Sequence, residues 1–366
     1  MRKIVAGLVS AGLALALAAC GSDAAPADSV YANQEAMVGI SMPNETSERW
    51  INDGNQMADQ FKAMGYQVDL KFAADDAAKQ SSQLQAMIDE DAKLLVVSAF
   101  DGGALGDVLA KAAAKNIPVI AYDRLLTGTK DVSYQATFDN ERVGVMQANL
   151  LVDKLKLGSG GNESAPKIEL FAGSPTDSNA KSFYDGSMSV LKPYIRNGDV
   201  VVGSGETRFK PITTEKYDGK IAGERMTTIL GKYYSDSDLV DGILSPYDGM
   251  TRGVIDALKA DGYGTESKPL PVTSGQDAEL DSVKSIIAGE QTATIFKDTR
   301  ELAKVAVQQG NALLTGTTPI VNDTETYDNG VKTVPTYLLY PVAVDKSNYN
   351  TLLIKSGYLD AGELVG

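Results

Sequence analysis

Residues 94–124 read LLVVSAFDGGALGDVLAKAAAKNIPVIAYDR. Leu94–Ala99 is apolar at both parities, so neither face of an extended chain is left for water. Such a run describes a central strand buried on both sides. Ala104–Lys115 then carries apolar residues at helical spacing. Ile117–Tyr122 is again a β-branched run, with Pro118 near its start, where a strand tolerates a residue without an N–H. Strand, helix and strand in this order make a parallel crossover unit and predict an α/β fold.

The same alternation extends in both directions. Upstream, Met37–Ser41 reads as a strand, Ser47–Met64 as a helix closed by Gly65, Gln67–Phe72 as a strand and Ala77–Glu90 as a helix. Downstream, Ser133–Phe138 completes the first sheet. The pattern then restarts, with helices expected over Asn140–Lys156, Asn179–Tyr194, Thr214–Tyr233, Met250–Ala260, Ala278–Ala288 and Arg300–Leu314. Between them lie strands at Lys167–Phe171, Val200–Val202, Val240–Leu244, Pro271–Ser274 and Thr292–Phe296. Asp328-Asn329-Gly330 signals a tight turn ahead of the strand-like run Thr333–Val342. Two similar halves are therefore predicted, dividing near Asp139. Residues 36–139 with 298–322 form one lobe, and residues 140–297 with 323–366 form the other.

The N-terminus has a different character. Arg2 and Lys3 precede an unbroken apolar stretch from Ile4 to Leu17, closed by Leu17-Ala18-Ala19-Cys20. A basic start, a short apolar run and small residues before a cleavage point describe an export signal, residues 1–19. The run falls short of the roughly 20 residues of a spanning helix. Cys20 is the only cysteine in the chain and has no internal disulfide partner. The segment resembles a bacterial lipoprotein signal, which implies lipidation of Cys20 and an extracytoplasmic, membrane-anchored protein. Residues 20–35 are small and polar and read as a flexible tether.

Composition excludes several classes of function. The formal charge of −14 argues against nucleic acid or an anionic lipid surface as partner, since both need basic patches. There is no histidine, so Ser-His-Asp and Cys-His devices and histidine metal sites are impossible. No glycine-rich phosphate cradle of either common spacing occurs. Neither a cofactor nor a metal is expected.

In open parallel sheets, ligands gather beyond the carboxyl ends of the strands. The residues at those positions are Asn44, Glu48, Arg49 and Trp50, then Asp101, Asp123-Arg124 and Asp139-Asn140. In the second half they are Asn179 and Lys181, Glu206, Arg208 and Phe209, Tyr247-Asp248, Gln276-Asp277 and Lys297. Carboxylates accept from hydroxyls, Arg and Lys donate to them, and amides do both. Aromatic faces cover the C–H face of a sugar ring. This set suits a neutral polyol, although acids after strands also serve as helix caps. Asp123-Arg124, adjacent opposite charges ending a buried strand, is the most specific pair in the census, because burying either one unpaired is costly.

The motifs VGISMP and SERW (38–50), LVVSAFDG (95–102), IPVIAYDR (117–124), ATFDN (136–140), AGSPTDSNA (172–180), SGQDAEL (274–280) and TIFKDT (294–299) resemble the sugar-binding receptors of bacterial ABC importers, in particular the xylose and multiple-sugar receptors. The resemblance runs from about Val38 to Val342. It implies a type I periplasmic-binding fold, two Rossmann-like lobes joined by three hinge strands. It also implies that Asp123 and Arg124 grip the sugar from the first lobe and that Asn179 and Lys181 reach it from the second. Asp248 and Asp277 match acids after later strands, Lys297 a polar hinge residue, and Arg49 and Trp50 the opening-loop pair. Thr207-Arg208-Phe209 stands where the xylose receptor carries a tryptophan, with Phe209 as the substitute for stacking. The acids Asp323, Glu325 and Asp328 lack calcium-loop spacing.

The function expected is capture of a pentose or hexose such as xylose, glucose, galactose or arabinose, by a monomer that delivers it intact to a membrane permease. A sugar sensor feeding chemotaxis or a kinase shares the same site. A carboxylate-based glycoside hydrolase is the remaining alternative.

Overall fold

The computed structural model describes residues 35–160, 164–235 and 238–365. The export segment, Cys20 and the tether up to residue 34 lie outside the described residues.

The first sheet is built from β1 (Met37–Met42), β2 (Gln67–Phe72), β3 (Leu94–Val97), β4 (Val119–Tyr122) and β5 (Tyr134–Phe138), with β11 (Thr336–Leu339) at its far edge. Its order is β11-β5-β4-β3-β1-β2, and every pairing is parallel. Strand alternation sorts the core into two layers. Leu94, Val96, Ile120 and Tyr122 face one side with α1 (Glu48–Ala63) and α9 (Thr299–Leu314). Leu95, Val97, Val119 and Ala121 face the other with α2 (Ala77–Asp89) and α3 (Gly106–Ala114). All eight are essentially fully buried. Each large side chain among them contributes roughly 1.5–3 kcal/mol. That double burial is why residues 94–97 lack any polar alternation.

The second lobe carries α4 (Asn140–Lys154), β6 (Lys167–Leu170), α5 (Ser178–Asn197), β7 (Val201–Val202), α6 (Gly219–Tyr233), β8 (Gly242–Leu244), α7 (Asp248–Ala260), β9 (Val272–Thr273), α8 (Leu280–Ala288) and β10 (Ala293–Phe296). Its sheet runs β7-β6-β8-β9 in parallel. An antiparallel pair, β10 with β12 (Val342–Asp345), joins it through a parallel bridge from Gln276 to Ile295. Helices α4 and α5 pack with almost no space between them. A Cβ on Gly144 would sit 1.9 Å from the Phe183 carbonyl oxygen, and one on Gly186 would sit 2.0 Å from that of Glu141. Only glycine permits this approach, which fixes the N-terminus of α5 where it can face the first lobe.

The chain passes between lobes at three points: from β5 into α4, from β10 into α9 and from β11 into β12. The first two lie at residues 139–140 and 297–298. The third does not fall at 322–323, because β11 pairs with β5 in the first sheet. Asn329 is likewise tied to the first lobe, donating to the carbonyls of Leu126 (3.0 Å) and Thr129 (2.7 Å). The run Thr333–Val342 therefore contains two strands of different sheets. Tyr340-Pro341 breaks it, since proline offers no N–H to continue a ladder. A second correction concerns the helix expected from Thr214. Residues 215–217 form a short 3₁₀ turn, with Lys216 and Tyr217 at positive φ, and Asp218 caps α6 through the N–H groups of Lys220 and Ile221. This turn directs Tyr217 toward the cleft between the lobes.

Candidate functional site

Both lobes contribute to a cleft of about 690 Å3, within the roughly 300–1,000 Å3 of small-molecule sites. Its centre is Asp123, the first residue past β4. The backbone there turns through the left-handed region (φ 60°). Its carbonyl accepts from Thr137 Oγ1 at 2.8 Å and Gln135 Nε2 at 3.2 Å, which pins the turn to β5. Its carboxylate accepts from Arg49 Nη2 at 2.5 Å and, across the cleft, from Asn179 Nδ2 at 3.0 Å. Burial pushes this carboxyl upward, but Arg49, Lys297 and Arg124 outweigh it and hold the pKa below the ordinary aspartate value.

Arg49, in the first turn of α1, is surrounded by carboxylates. Besides Asp123, Nη1 lies 3.6 Å from Asp277 of the second lobe and Nε lies 3.6 Å from Asp53, one turn along its own helix. Burial opposes its charge. Asp123, Asp277 and Asp53 prevail, and the guanidinium pKa is raised well above normal. Its carbon stands 4.5 Å from the centre of the Trp50 ring, and Arg124 approaches the same ring at 5.3 Å. Two cations over one indole fix that ring as a wall of the cleft.

Arg124 donates to the carbonyl of Ala99 at 3.1 Å and pairs with Asp177 across the cleft at 3.5 Å. Asp177 caps α5 by accepting from the Asn179 N–H and receives the Tyr217 hydroxyl at 2.7 Å. Ser178 Oγ accepts from the Leu125 N–H at 2.9 Å, so backbone and side chains both bridge the lobes. Lys297, at the end of β10, is 1% exposed. Its ammonium pairs with Asp277 at 3.0 Å between the rings of Phe138 and Phe183. Asp277 and Ala278 both hold positive φ, which aims the Asp277 carboxylate inward. Beside it, Gln276 Oε1 is a buried acceptor without a hydrogen-bond partner among the described residues.

The cleft thus gathers Arg49, Trp50, Asp123, Arg124, Asn179, Asp277 and Lys297 from the residues expected at the site. The other four lie outside its lining. Asp101 is in an exposed turn, accepting from the Gly103 N–H. Lys181 points away from the cleft because α5 begins at Ser178; it is exposed and pairs with Asp185 on the next turn. Phe209 packs on Tyr184, centroids 5.3 Å apart, since the Tyr184 hydroxyl ties this loop to the outer side of α5 through the Thr207 carbonyl. Asp248 is fully buried behind the cleft. Its oxygens accept from Gln291 Nε2 (2.8 Å), Thr294 Oγ1 (3.0 Å) and the Glu279 N–H (3.0 Å). Burial first, then Glu279, raises its pKa to about 8.

Several lining residues escaped the sequence reading: Asp177, Lys216, Tyr217, Arg252 and, from the C-terminal segment, Tyr358. Asp177 was visible within the quoted motif at 172–180. Tyr358 gave no local signal, because the tail reaches the site only by packing on Phe296 (4.5 Å) and Arg300 (5.2 Å).

Two parallel-sheet lobes with three crossings, closing on charged, amide and aromatic side chains, define a two-lobed ligand-binding protein of the type I periplasmic-binding fold. The chain belongs to the periplasmic binding protein domain family, whose model matches residues 38–318. It is 53% identical over 334 residues to the multiple sugar-binding periplasmic receptor ChvE of Rhizobium radiobacter, covering 91% of this chain and 94% of that one. It is 31% identical to the D-xylose-binding periplasmic protein of Escherichia coli K12, covering 90% and 93%. A solved ABC transporter solute-binding protein from Clostridium phytofermentans, with β-D-glucose bound, superposes with a TM-score of 0.85 at 42% identity, covering 90% of this chain and 99% of that one. The family and fold expected from the motifs are those found.

Proposed function

We propose that this protein captures a neutral monosaccharide, a pentose or hexose such as xylose, glucose, galactose or arabinose, outside the cytoplasm and delivers it unchanged to the permease of an ABC importer. One observation carries the reading. Asp123, Arg124 and Arg49 of one lobe meet Asn179, Asp177 and Asp277 of the other within a single cleft. A ligand held there gains contacts in the closed arrangement that either lobe alone lacks, which is the condition for ligand-driven hinge closure. The cleft offers both donors, on Arg49, Arg124, Asn179 and Lys297, and acceptors, on Asp123, Asp177 and Asp277, as a ring of hydroxyls requires. Trp50 offers an apolar face to the ring. The sugar binding of ChvE and of the D-xylose-binding protein, and the bound glucose of the Clostridium structure, support the same ligand class.

The cleft acids are held by cations and amides, an arrangement that suits recognition better than proton transfer, and the chain acts as a monomeric receptor with no chemistry of its own. Lipidation of Cys20 would tether it to the membrane through residues 20–35.

The test is titration of the chain from Gly21 onward with a panel of monosaccharides, following Trp50 emission and thermal stability. Trp50 is the only tryptophan, so the signal comes from the cleft. Sugar at about 100 times Kd should stabilise the fold by about 2.7 kcal/mol. No response to any monosaccharide, or recovery of chemically altered sugar, would refute the proposal.

A further inference from the structure

Asp53 is fully buried, lines no part of the cleft and belongs to no recognised motif. It lies one helical turn after Arg49, with Oδ2 3.6 Å from Arg49 Nε. Among the described residues, neither of its oxygens nor Arg49 Nε has a hydrogen-bond partner of good geometry, although Thr299 and Tyr122 stand near enough to favour its charge. The groups around it come from every element packed there. Tyr122 faces it from the end of β4 and Asp123 from the turn after it, Thr299 from α9, and Tyr358 from the C-terminal segment. Among these the only cation is Arg49. A buried carboxylate without a full set of hydrogen bonds is costly and would be expected as leucine or asparagine if packing were its sole role.

The guanidinium explains its presence. Arg49 presents three edges to three carboxylates: Nη2 to Asp123, Nη1 to Asp277 and Nε to Asp53. The Nη edges face the cleft, where a ligand hydroxyl would meet them. The Nε edge faces the protein interior. A guanidinium is a rigid planar fork, so fixing one edge sets the direction of the other two.

We propose that Asp53 is a positioning residue for ligand capture: its carboxylate holds the inner edge of Arg49 so that the outer edges are presented to the ligand and to Asp123 and Asp277 of the two lobes. The inference rests on the carbohydrate reading of the cleft and deepens it. One consequence is proton-linked affinity. Burial raises the Asp53 pKa from 3.8 to about 6, with Arg49, Thr299 and Tyr122 opposing the rise. Above that value the group is ionised and grips Arg49. As pH falls through it, the carboxyl becomes neutral and the grip loosens, so ligand affinity falls as the solution becomes more acidic. Asp123, the other carboxylate on Arg49, has its pKa lowered and stays ionised through this window.

The experiment measures Kd for D-glucose and D-xylose by calorimetry, at about pH 8 and about pH 5, for the wild type and for Asp53→Asn. Asparagine keeps the volume and removes the charge. The wild type should bind about tenfold more weakly at the lower pH, a shift of about 1.4 kcal/mol. Asp53→Asn should bind about tenfold more weakly than wild type at pH 8 and show no further change on acidification. A merely structural residue would alter thermal stability and leave the pH profile in place. Wild-type affinity in Asp53→Asn at pH 8, or an undiminished pH slope in that variant, overturns the proposal. Should the variant fail to fold, the wild-type profile alone decides, and a flat profile overturns it. If the wild type binds neither sugar at either pH, the carbohydrate reading falls and takes this inference with it. If it binds and the variant matches it, only the role of Asp53 falls.

Discussion

Asn179→Ala isolates the part of the account that depends on two lobes acting together. Asn179 sits in the first turn of α5 and is 3% exposed. Its amide crosses to the carboxylate of Asp123 at 3.0 Å and to the Asp123 carbonyl at 3.3 Å. The cap of α5 is made by its backbone N–H to Asp177 and survives the substitution. A hydrogen bond to a charged acceptor contributes roughly 1.5–3 kcal/mol, and each 1.4 kcal/mol is about tenfold in affinity. The variant should therefore fold and bind sugar roughly 10–100-fold more weakly. The loss belongs to the closed arrangement, because Asn179 and Asp123 lie on different lobes. It should appear as faster dissociation, with association changed little. Stopped-flow mixing with D-glucose, read through Trp50 emission, separates the two rates. An unchanged Kd, or a loss carried entirely by the association rate, would refute the reasoning.

Four further substitutions test the remaining residues. Lys181→Ala should leave sugar affinity within about twofold, because the ammonium is exposed and paired with Asp185; a larger loss in calorimetry would place it at the ligand after all. Phe209→Ala should cost about 1–3 kcal/mol in denaturant unfolding through lost packing on Tyr184, with Kd for sugar unchanged. Asp248 has a folded-state pKa raised from 3.8 to about 8, so the folded chain binds the extra proton in that window and loses stability as pH rises through it. Asp248→Asn should abolish that loss, and denaturation midpoints at about pH 5 and pH 9 that move in parallel for variant and wild type would contradict it. Cys20→Ala should release the protein from the membrane fraction of cells that export it, as read by fractionation.

The central strands β3 and β4 of the first lobe were legible because each is buried on both faces and carries no polar alternation to confuse strand with helix. The strand-to-helix rhythm restarts after Asp139, where β5 gives way to α4. The third crossing was hidden because Thr333–Val342 is one continuous strand-like run in sequence. Only the pairing of β11 with β5 and of β12 with β10 divides it between sheets. At the site, positions directly after strands were readable, as Asp123, Asp277 and Lys297 demonstrate by their place in the cleft. Positions on helices depended on a rotation that the sequence did not fix. Starting α5 at Ser178 puts Asn179 inward and Lys181 outward. Asp248 illustrates another limit: an acid after a strand can be spent wholly on internal donors, here Gln291, Thr294 and the Glu279 N–H. Tyr358 reaches the site region through packing between distant segments, for which no local pattern exists.

The most direct test of the account is a crystal structure of the protein grown with saturating D-glucose. The account predicts a pyranose lying between the lobes, with its hydroxyls on Asp123, Arg49, Asn179, Asp277 and Lys297 and its C–H face against Trp50. A sugar bound on the outside of one lobe, or a cleft that takes up a different kind of molecule and leaves glucose in solution, would contradict it.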